Sequence, residues 1–375
     1  MNLSDLVLDS ITDVDIDFTK LEAGQVRDLS AVLSAMQREV LSTIKSNNPA
    51  DVDQKAARAK RLNGLIAKIE KQVNATYQVL SKRNVSDLEE VVGISMAATK
   101  NSINNAIGGN LMKGGISKSD VISIVKDTLI PDDAGGAPIS ERWRRLRDTF
   151  KLALRDGLRQ AVATQKNTDE MLKVIRGNRN VQFKDGLFYK NQTQMETLIR
   201  TAQNQMVNAS RYTAYQANAD VVKGVQAQAV LDLRTTVICR YRNGMAWTLA
   251  GRAFAGTPEP FPGPPPWHWR CRTTLIPIFR SLDDLQGVVE PRLHRILVDL
   301  DSKVPIDGKP GQVIGFDKWL SQNKTSARID AVGGVGKYKL YKEGKIGLSD
   351  LINGQGQEKT LKQLKTELGL DDADE

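Results

Sequence analysis

Two stretches set the reading of this chain: DLRTTVICRYRNG, residues 232–244, and GPPPWHWRCRT, residues 263–273. Together they hold both cysteines, Cys239 and Cys271, and one of the two histidines, His268. Thiolate and imidazole are soft or borderline ligands, and the His-x-x-Cys spacing brings two of them onto one turn. A tetrahedral Zn²⁺ site is therefore geometrically open to Cys239, His268 and Cys271. A fourth, oxygen ligand would have to come from Asp232. The alternative is a metal-free structural knot, in which the thiols are small buried residues or a close pair able to form a disulfide, and His268 bonds backbone. In both cases the run PEPFPGPPPW (258–267) fixes its own backbone cheaply, because proline has little conformational entropy to lose. Trp267 and Trp269 are then expected to pack over or beside the core.

Working outward, VVKGVQAQAVLDL (221–233) alternates as a strand should, and RTTLIPIF (272–279) is a second strand candidate. Upstream, Met195, Leu198, Ala202, Met206, Ala209 and Thr213 mark one face of a helix over 192–218. Before it, NVQFKDGLFYK (180–190) has the alternation and Asp-Gly pair of a small β-hairpin. These elements predict a compact α+β unit between about 168 and 285.

The N-terminal part reads as helices. Val26, Leu29, Leu33, Met36, Val40 and Ile44 form one stripe over 24–46; Leu62, Ile66, Ile69, Val73, Thr76 or Tyr77, and Leu80 form another over 54–82. SNNPAD between them supplies turn and capping residues, so an antiparallel helical hairpin is expected. A third helix over 86–106 ends at Gly108-Gly109, a shorter one near 117–129 ends before Pro131, and PDDAGGAPIS reads as a linker. Ser140 is then expected to cap a helix with Trp143, Leu146, Phe150, Leu154, Leu158 and Ala161 on one side. Its other side carries Arg142, Arg144, Arg145, Arg147, Lys151, Arg155 and Arg159. Arginine offers paired donors to phosphate, which makes this face the candidate for contact with a DNA backbone; a solvated face is the alternative.

Composition agrees with helix as the main element: 40% of the 375 residues are hydrophobic and only 5% aromatic. The fold class expected is α+β and predominantly α-helical, with long N-terminal helices plus a compact α+β core holding a small antiparallel sheet. The net charge of +9 is unevenly spread. Residues 1–23 hold six acids and one lysine, 366–375 hold five acids and no base, and 24–365 carry 52 bases against 33 acids. A basic body suits a surface that meets a polyanion or an acidic protein ring, or else a salt-laced helical surface. Two cysteines exclude a small disulfide scaffold and fit synthesis in a reducing cytoplasm. The start lacks a signal peptide's basic and apolar regions, and no run of about 18 apolar residues occurs, so no membrane anchor is expected.

Four ordered motifs together resemble the phage Mu F-like head-morphogenesis family. They are Leu198-Ile-Arg-Thr201; the Asp232-Leu-Arg-Thr segment leading to Cys239 and Gly244; Pro265-Pro-Trp-His268-Trp-Arg-Cys271-Arg272; and a tail with Phe316, Trp319-Leu320, Gly336, Gly344-Lys345 and Leu348-Ser-Asp-Leu351. Where family members often carry a second pair of cysteines, this sequence has Thr236 and Thr273. The resemblance covers roughly 140–365 and divides the chain into an acidic segment 1–23, a helical region 24–130, a Mu F-like core 139–285, a family tail 286–365 and an acidic tail 366–375. It implies a minor capsid protein: a virion component made in the host cytoplasm, lying in few copies inside the head and attached to portal or major capsid protein, with roles in head morphogenesis, DNA packaging and ejection. On that reading 24–130 docks on portal or capsid protein and the basic helix faces packaged, non-specifically bound double-stranded DNA. The alternative is a basic DNA-binding protein without a capsid role.

No enzyme is expected. Cys239 or Cys271 with His268 would mimic a thiol dyad, but no residue to orient the base and no oxyanion site is evident. The run AVGGVGK (331–337) lacks the first glycine and the Ser or Thr of a Walker loop, and reads as a turn between two helices. Asp283-Asp284 and Asp371-Asp372 read as surface acids.

Overall fold

The fold is given by a computed structural model, which describes residues 3–47, 49, 54–115, 117–131, 136–232, 234–302, 324–347, 349–353 and 358–370. Helix predominates, with one small three-stranded antiparallel sheet, as the composition requires. The chain packs as two compact units. One comprises Met1–Asp15, Ser95–Gly115 and Val207–Glu375, the other Ile16–Ile94 and Ile116–Met206. Each unit is thus built from segments that are distant in the sequence.

Helix α1 spans Leu3–Ser46, so the acidic segment 1–23 is helix from Leu3 onward and not a separate leader to a helix beginning at 24. The apolar stripe explains the extension, because Val7, Ile11 and Phe18 continue the spacing of Val26, Leu29 and Leu33 and are all buried. Gly24 then sits inside the helix at a cost of about 1 kcal/mol relative to alanine, which that burial offsets. Helix α2 runs unbroken from Lys55 to Ile107, where two helices with a break near 82–86 were expected. Asn84, which lies in that interval, is buried, and its side-chain carbonyl accepts the Trp143 indole N–H at 3.0 Å. A tertiary hydrogen bond thus holds this polar residue inside the helix. The expected antiparallel hairpin of α1 and α2 is present: Arg83 pairs with Asp28 at 2.8 Å, Gln72 donates to Thr43 at 3.0 Å and Lys68 to Asn47 at 2.8 Å.

Helix α3 (Lys118–Asp127) is capped by Ser117 and leads to β1 (Leu129–Ile130), which pairs antiparallel with β2 (Ala137–Pro138). Helix α4 (Ile139–Ala163) starts directly after β2. Its N-cap position is Pro138, so Ser140 lies inside the first turn and caps nothing. Trp143 and Phe150 enter an aromatic core with Tyr77 and Phe188, their rings 5.0–6.4 Å apart.

Helix α5 (Thr168–Arg176) is capped by Asn167 and stops at Gly177, whose φ of +97° ends the helix. The β-hairpin expected over 180–190 does not form. A 3₁₀ turn at Arg179–Val181 and a tight loop lead straight into α6 (Leu187–Gln216). Gly186 is not in the positive-φ region that a two-residue Asp-Gly hairpin turn demands. Instead, Asp185 accepts the Asn178 backbone N–H at 2.7 Å, and a side chain at Gly186 would collide with the Arg176 carbonyl.

The sheet follows α6. Strand β3 (Val222–Ala229) is central, with β4 (Ala246–Thr248) on one side and β5 (Thr273–Phe279) on the other, all antiparallel. Helix α7 (Val237–Arg242) lies between β3 and β4. One face of β3 and β5 closes over Val7, Ile11, Ile103, Ile107, Leu111 and Tyr215 in a single apolar core. Beyond β5, α8 (Leu282–Leu285) and α9 (Pro291–Ser302) add Leu285, Leu293 and Leu297 to it. Phe316, Trp319 and Leu320 lie outside the described residues. Helices α10 (Thr325–Val332), α11 (Val335–Lys342) and α12 (Leu361–Glu367) gather Val332, Leu340, Ile346, Leu351 and Leu364 around Val237 of α7. Gly333 at φ +88° makes the turn between α10 and α11, and Lys337 is taken up by Glu358 at 2.6 Å.

Candidate metal centre and basic surfaces

The register of the sheet brings the two deciding stretches together. Ala229 at the end of β3 pairs with Thr273 at the start of β5, so the segment leaving β3 and the segment entering β5 emerge side by side. The first turns through Asp232 and Thr235 into α7, which carries Cys239; the second delivers His268 and Cys271. Cys239 and Cys271 are buried with Ala229 and Ile238. Their sulfurs are 3.5 Å apart and are free thiols, and His268 Nε2 lies 3.0 Å from Cys239 Sγ. All three donor atoms fall within 4.8 Å of one another.

His268 Nδ1 meets the Trp269 carbonyl at 2.7 Å. A carbonyl only accepts, so Nδ1 carries a proton, and in the neutral ring the Nε2 lone pair faces the sulfurs. Fixing of the ring through its remote nitrogen is the usual support for a metal-bound imidazole. Burial pulls the His268 pKa down, but hydrogen bonding and charge from Cys271 outweigh it and the net direction is upward. Burial opposes ionisation of Cys271, yet its bonds to Cys239 and His268 prevail and its thiol is held well below the usual range. Cys239 is pushed up, chiefly by its bond to Cys271 and then by burial. Ionisation of the two thiols is thus linked, with Cys271 the readier of the two to lose its proton.

Three ligands of a Cys₂His set fit a divalent soft metal. For Zn–S bonds near 2.3 Å, tetrahedral geometry needs sulfurs about 3.7 Å apart, close to the 3.5 Å between the thiols, and a nitrogen about 3.5 Å from each sulfur, so the imidazole has to draw back from Cys239, now 3.0 Å away. Asp232 is not the fourth ligand. Its carboxylate is bound bidentately by Arg272 at 2.7 and 2.6 Å and also accepts the Arg234 N–H, and the Arg272 bond holds it well below the ordinary carboxylate range. The hydroxyls of Thr236 and Thr273 lie against Cys239.

Several supports escaped the sequence reading. Arg240 reaches the backbone carbonyls of Ala331 and Asp232, tying α7 to α10. Arg242 pairs with Glu259 at 2.5 Å and lies over the Trp267 ring at 4.8 Å. The Trp267 and Trp247 rings meet edge-on at 6.5 Å, and Trp247 donates to the Glu259 carbonyl. No periodicity marks these contacts; only the proline-rich loop hinted that something packs there.

The arginine face of α4 is largely occupied. Arg142 is buried with its guanidinium on the Ile130 carbonyl at 2.5 Å, so it is no contact residue for DNA: it ties α4 to β1. Arg144 and Arg145 both bond Glu141, at 2.6 and 2.9 Å, and Arg147 bonds Asp148 at 2.9 Å. Arg155 has Asp156 at 4.0 Å. Arg159 is exposed and Lys151 half-buried near Asp148. Glu141 and Asp148 one turn from Arg144, and the acids next to Arg147 and Arg155, all invisible to a count of arginines on one face, make much of it a salt-bridged surface. Among the described residues no helix is long and apolar enough to cross a membrane. No protein-family model, curated protein or solved structure matches this chain.

Proposed function

We propose that this chain is a minor structural protein of a tailed-phage head, attached to portal or inner capsid protein, that acts in head morphogenesis and in DNA packaging or ejection and has no catalytic role. The observation that carries the reading is the closure of the two distant motifs on each other. Cys239 meets His268 and Cys271, and Asp232 of the first motif clasps Arg272 of the second. This is the arrangement the family resemblance requires of those residues. Zn²⁺ held by Cys239, His268 and Cys271 would cross-link the segments flanking the sheet and add stability, as structural zinc does. A dyad chemistry is disfavoured because both thiols are buried and the far nitrogen of His268 is spent on a backbone carbonyl, with no carboxylate orienting it.

Mass spectrometry of purified procapsids tests the role. The expected result is this chain at a small fraction of the major capsid protein, co-purifying with portal when the particles are disassembled. The second reading, a basic DNA-binding protein without a capsid role, is favoured by the excess of bases over residues 24–365. It would be upheld by absence from particles together with DNA affinity that falls steeply with salt.

A further inference from the structure

A groove of about 410 Å³ lies between the Leu33–Leu41 stretch of α1 and the loop that joins α5 to α6. Arg38, Arg176, Gln182, Phe183 and Tyr189 line it, and no acidic side chain does. The end of α5, the loop and the start of α6 together are basic: residues 173–190 hold Lys173 and Arg176 on α5, Arg179 and Lys184 in the loop and Lys190 on α6 against Asp185 alone, whose carboxylate is engaged by the Asn178 N–H. All five cations are exposed, and none is in an ion pair among the described residues. This contrasts with the acid-laddered face of α4.

The loop is also strained. Gln182 and Phe183 both adopt left-handed backbone, at φ +56° and +64°, a conformation that costs a non-glycine residue about 1 kcal/mol. Asn178 holds it there by accepting the Phe183 N–H at 2.8 Å. The outcome is a phenyl ring, 36% exposed, presented at the groove with the Arg176 guanidinium 5.4 Å from its centroid; Tyr189 is 41% exposed. The left-handed pair thus sets the Phe183 ring on the groove wall beside the Arg176 guanidinium, and such backbone outliers concentrate at binding sites.

We propose that this groove binds a single-stranded nucleic-acid segment, its phosphates on Arg38 and Arg176 and a base stacked on Phe183 or Tyr189. A cationic groove interleaved with exposed rings is what a single strand uses, because its bases offer free faces. A duplex keeps its bases in its own stack and has no use for the rings, and an acidic peptide would need the cations alone. The inference does not depend on a capsid role.

The test is fluorescence anisotropy of the full chain with a labelled oligothymidylate, a duplex of equal length and a polyglutamate competitor, at low and near-physiological salt. The strand is expected to bind more tightly than the duplex and to resist polyglutamate. Arg38→Ala with Arg176→Ala should weaken binding at least tenfold and reduce the salt slope by about 0.7 for each phosphate no longer neutralised. Phe183→Ala should weaken it about tenfold without changing the slope, and Phe183→Trp should bind as the parent does. The tryptophan variant, which keeps an aromatic ring and the fold, separates lost stacking from lost structure. Preference for duplex, displacement by polyglutamate, or parental affinity in both the Arg38/Arg176 and Phe183 variants would overturn the proposal.

Discussion

Cys239, His268 and Cys271 illustrate how little of a site is carried by its ligand residues. Their chemistry was legible in the sequence, and so was the pairing of two distant stretches. The role of Asp232 was not, because an acid next to a thiol motif can be read as ligand or as partner, and only the position of Arg272 decides. Elemental analysis should find about one zinc per chain, and Cys239→Ser or Cys271→Ser should abolish it and lower Tm; equal metal content in parent and variants would remove zinc from the account. Thr236 and Thr273 sharpen the point, since both hydroxyls face Cys239. Thr236→Cys or Thr273→Cys would supply a fourth sulfur, and zinc affinity measured by competition with a chromophoric chelator should rise by at least tenfold, the effect of completing a tetrahedral thiolate set.

At the level of elements, apolar spacing located every long helix but not its ends. Stripes in the sequence fade wherever a polar residue has a tertiary partner, and Asn84 is such a case: a polar residue that interrupts the apolar spacing and, in the fold, a buried acceptor for Trp143. Asn84→Leu should leave the Trp143 indole N–H buried without an acceptor, destabilise by about 1–3 kcal/mol in urea unfolding and shift tryptophan emission. A loss no larger in Asn84→Leu than in Asn84→Leu with Trp143→Phe would assign the cost to packing alone. The missed strand β4 has a similar origin, being three residues long and recognisable only by its pairing with β3. Gly224 shows why that pairing is tight. A Cβ there would stand 2.3 Å from the Trp247 carbonyl oxygen and 2.7 Å from the Phe254 ring. Gly224→Ala should force β4 away from β3, cost about 1–3 kcal/mol and raise hydrogen exchange over Ala246–Thr248.

For the whole molecule, the acidic start that stood out in the charge pattern is used internally in each unit. Asp15 pairs with fully buried Arg211 at 2.6 Å, and Glu22 pairs with Arg200. The pH dependence of stability follows from which carboxyls are shifted and in which direction. Glu141 is lowered to about 2 by hydrogen bonds from Arg144 and Arg145, Asp148 by Arg147, and Asp232 by Arg272. Each such group binds fewer protons in the folded state, so its contribution is present above the unfolded pKa near 4 and is lost as pH falls toward the folded value. Asp15 runs the other way: burial outweighs Arg211 and raises it, so its contribution is present below about 4 and lost as pH rises through its folded value. The lowered acids include exposed pairs whose worth is screened, which leaves the Asp232 clasp as the strongest single source of the acid limb. Asp232→Asn should therefore lower the urea midpoint at pH 7 by the equivalent of about 1 kcal/mol, with a deficit that shrinks steadily below pH 4 as the parent's own carboxylate protonates. A deficit of constant size down to the lowest pH at which the chain stays folded would mean that Asp232 acts through shape and its backbone bonds, and that charge does not hold the two motifs together.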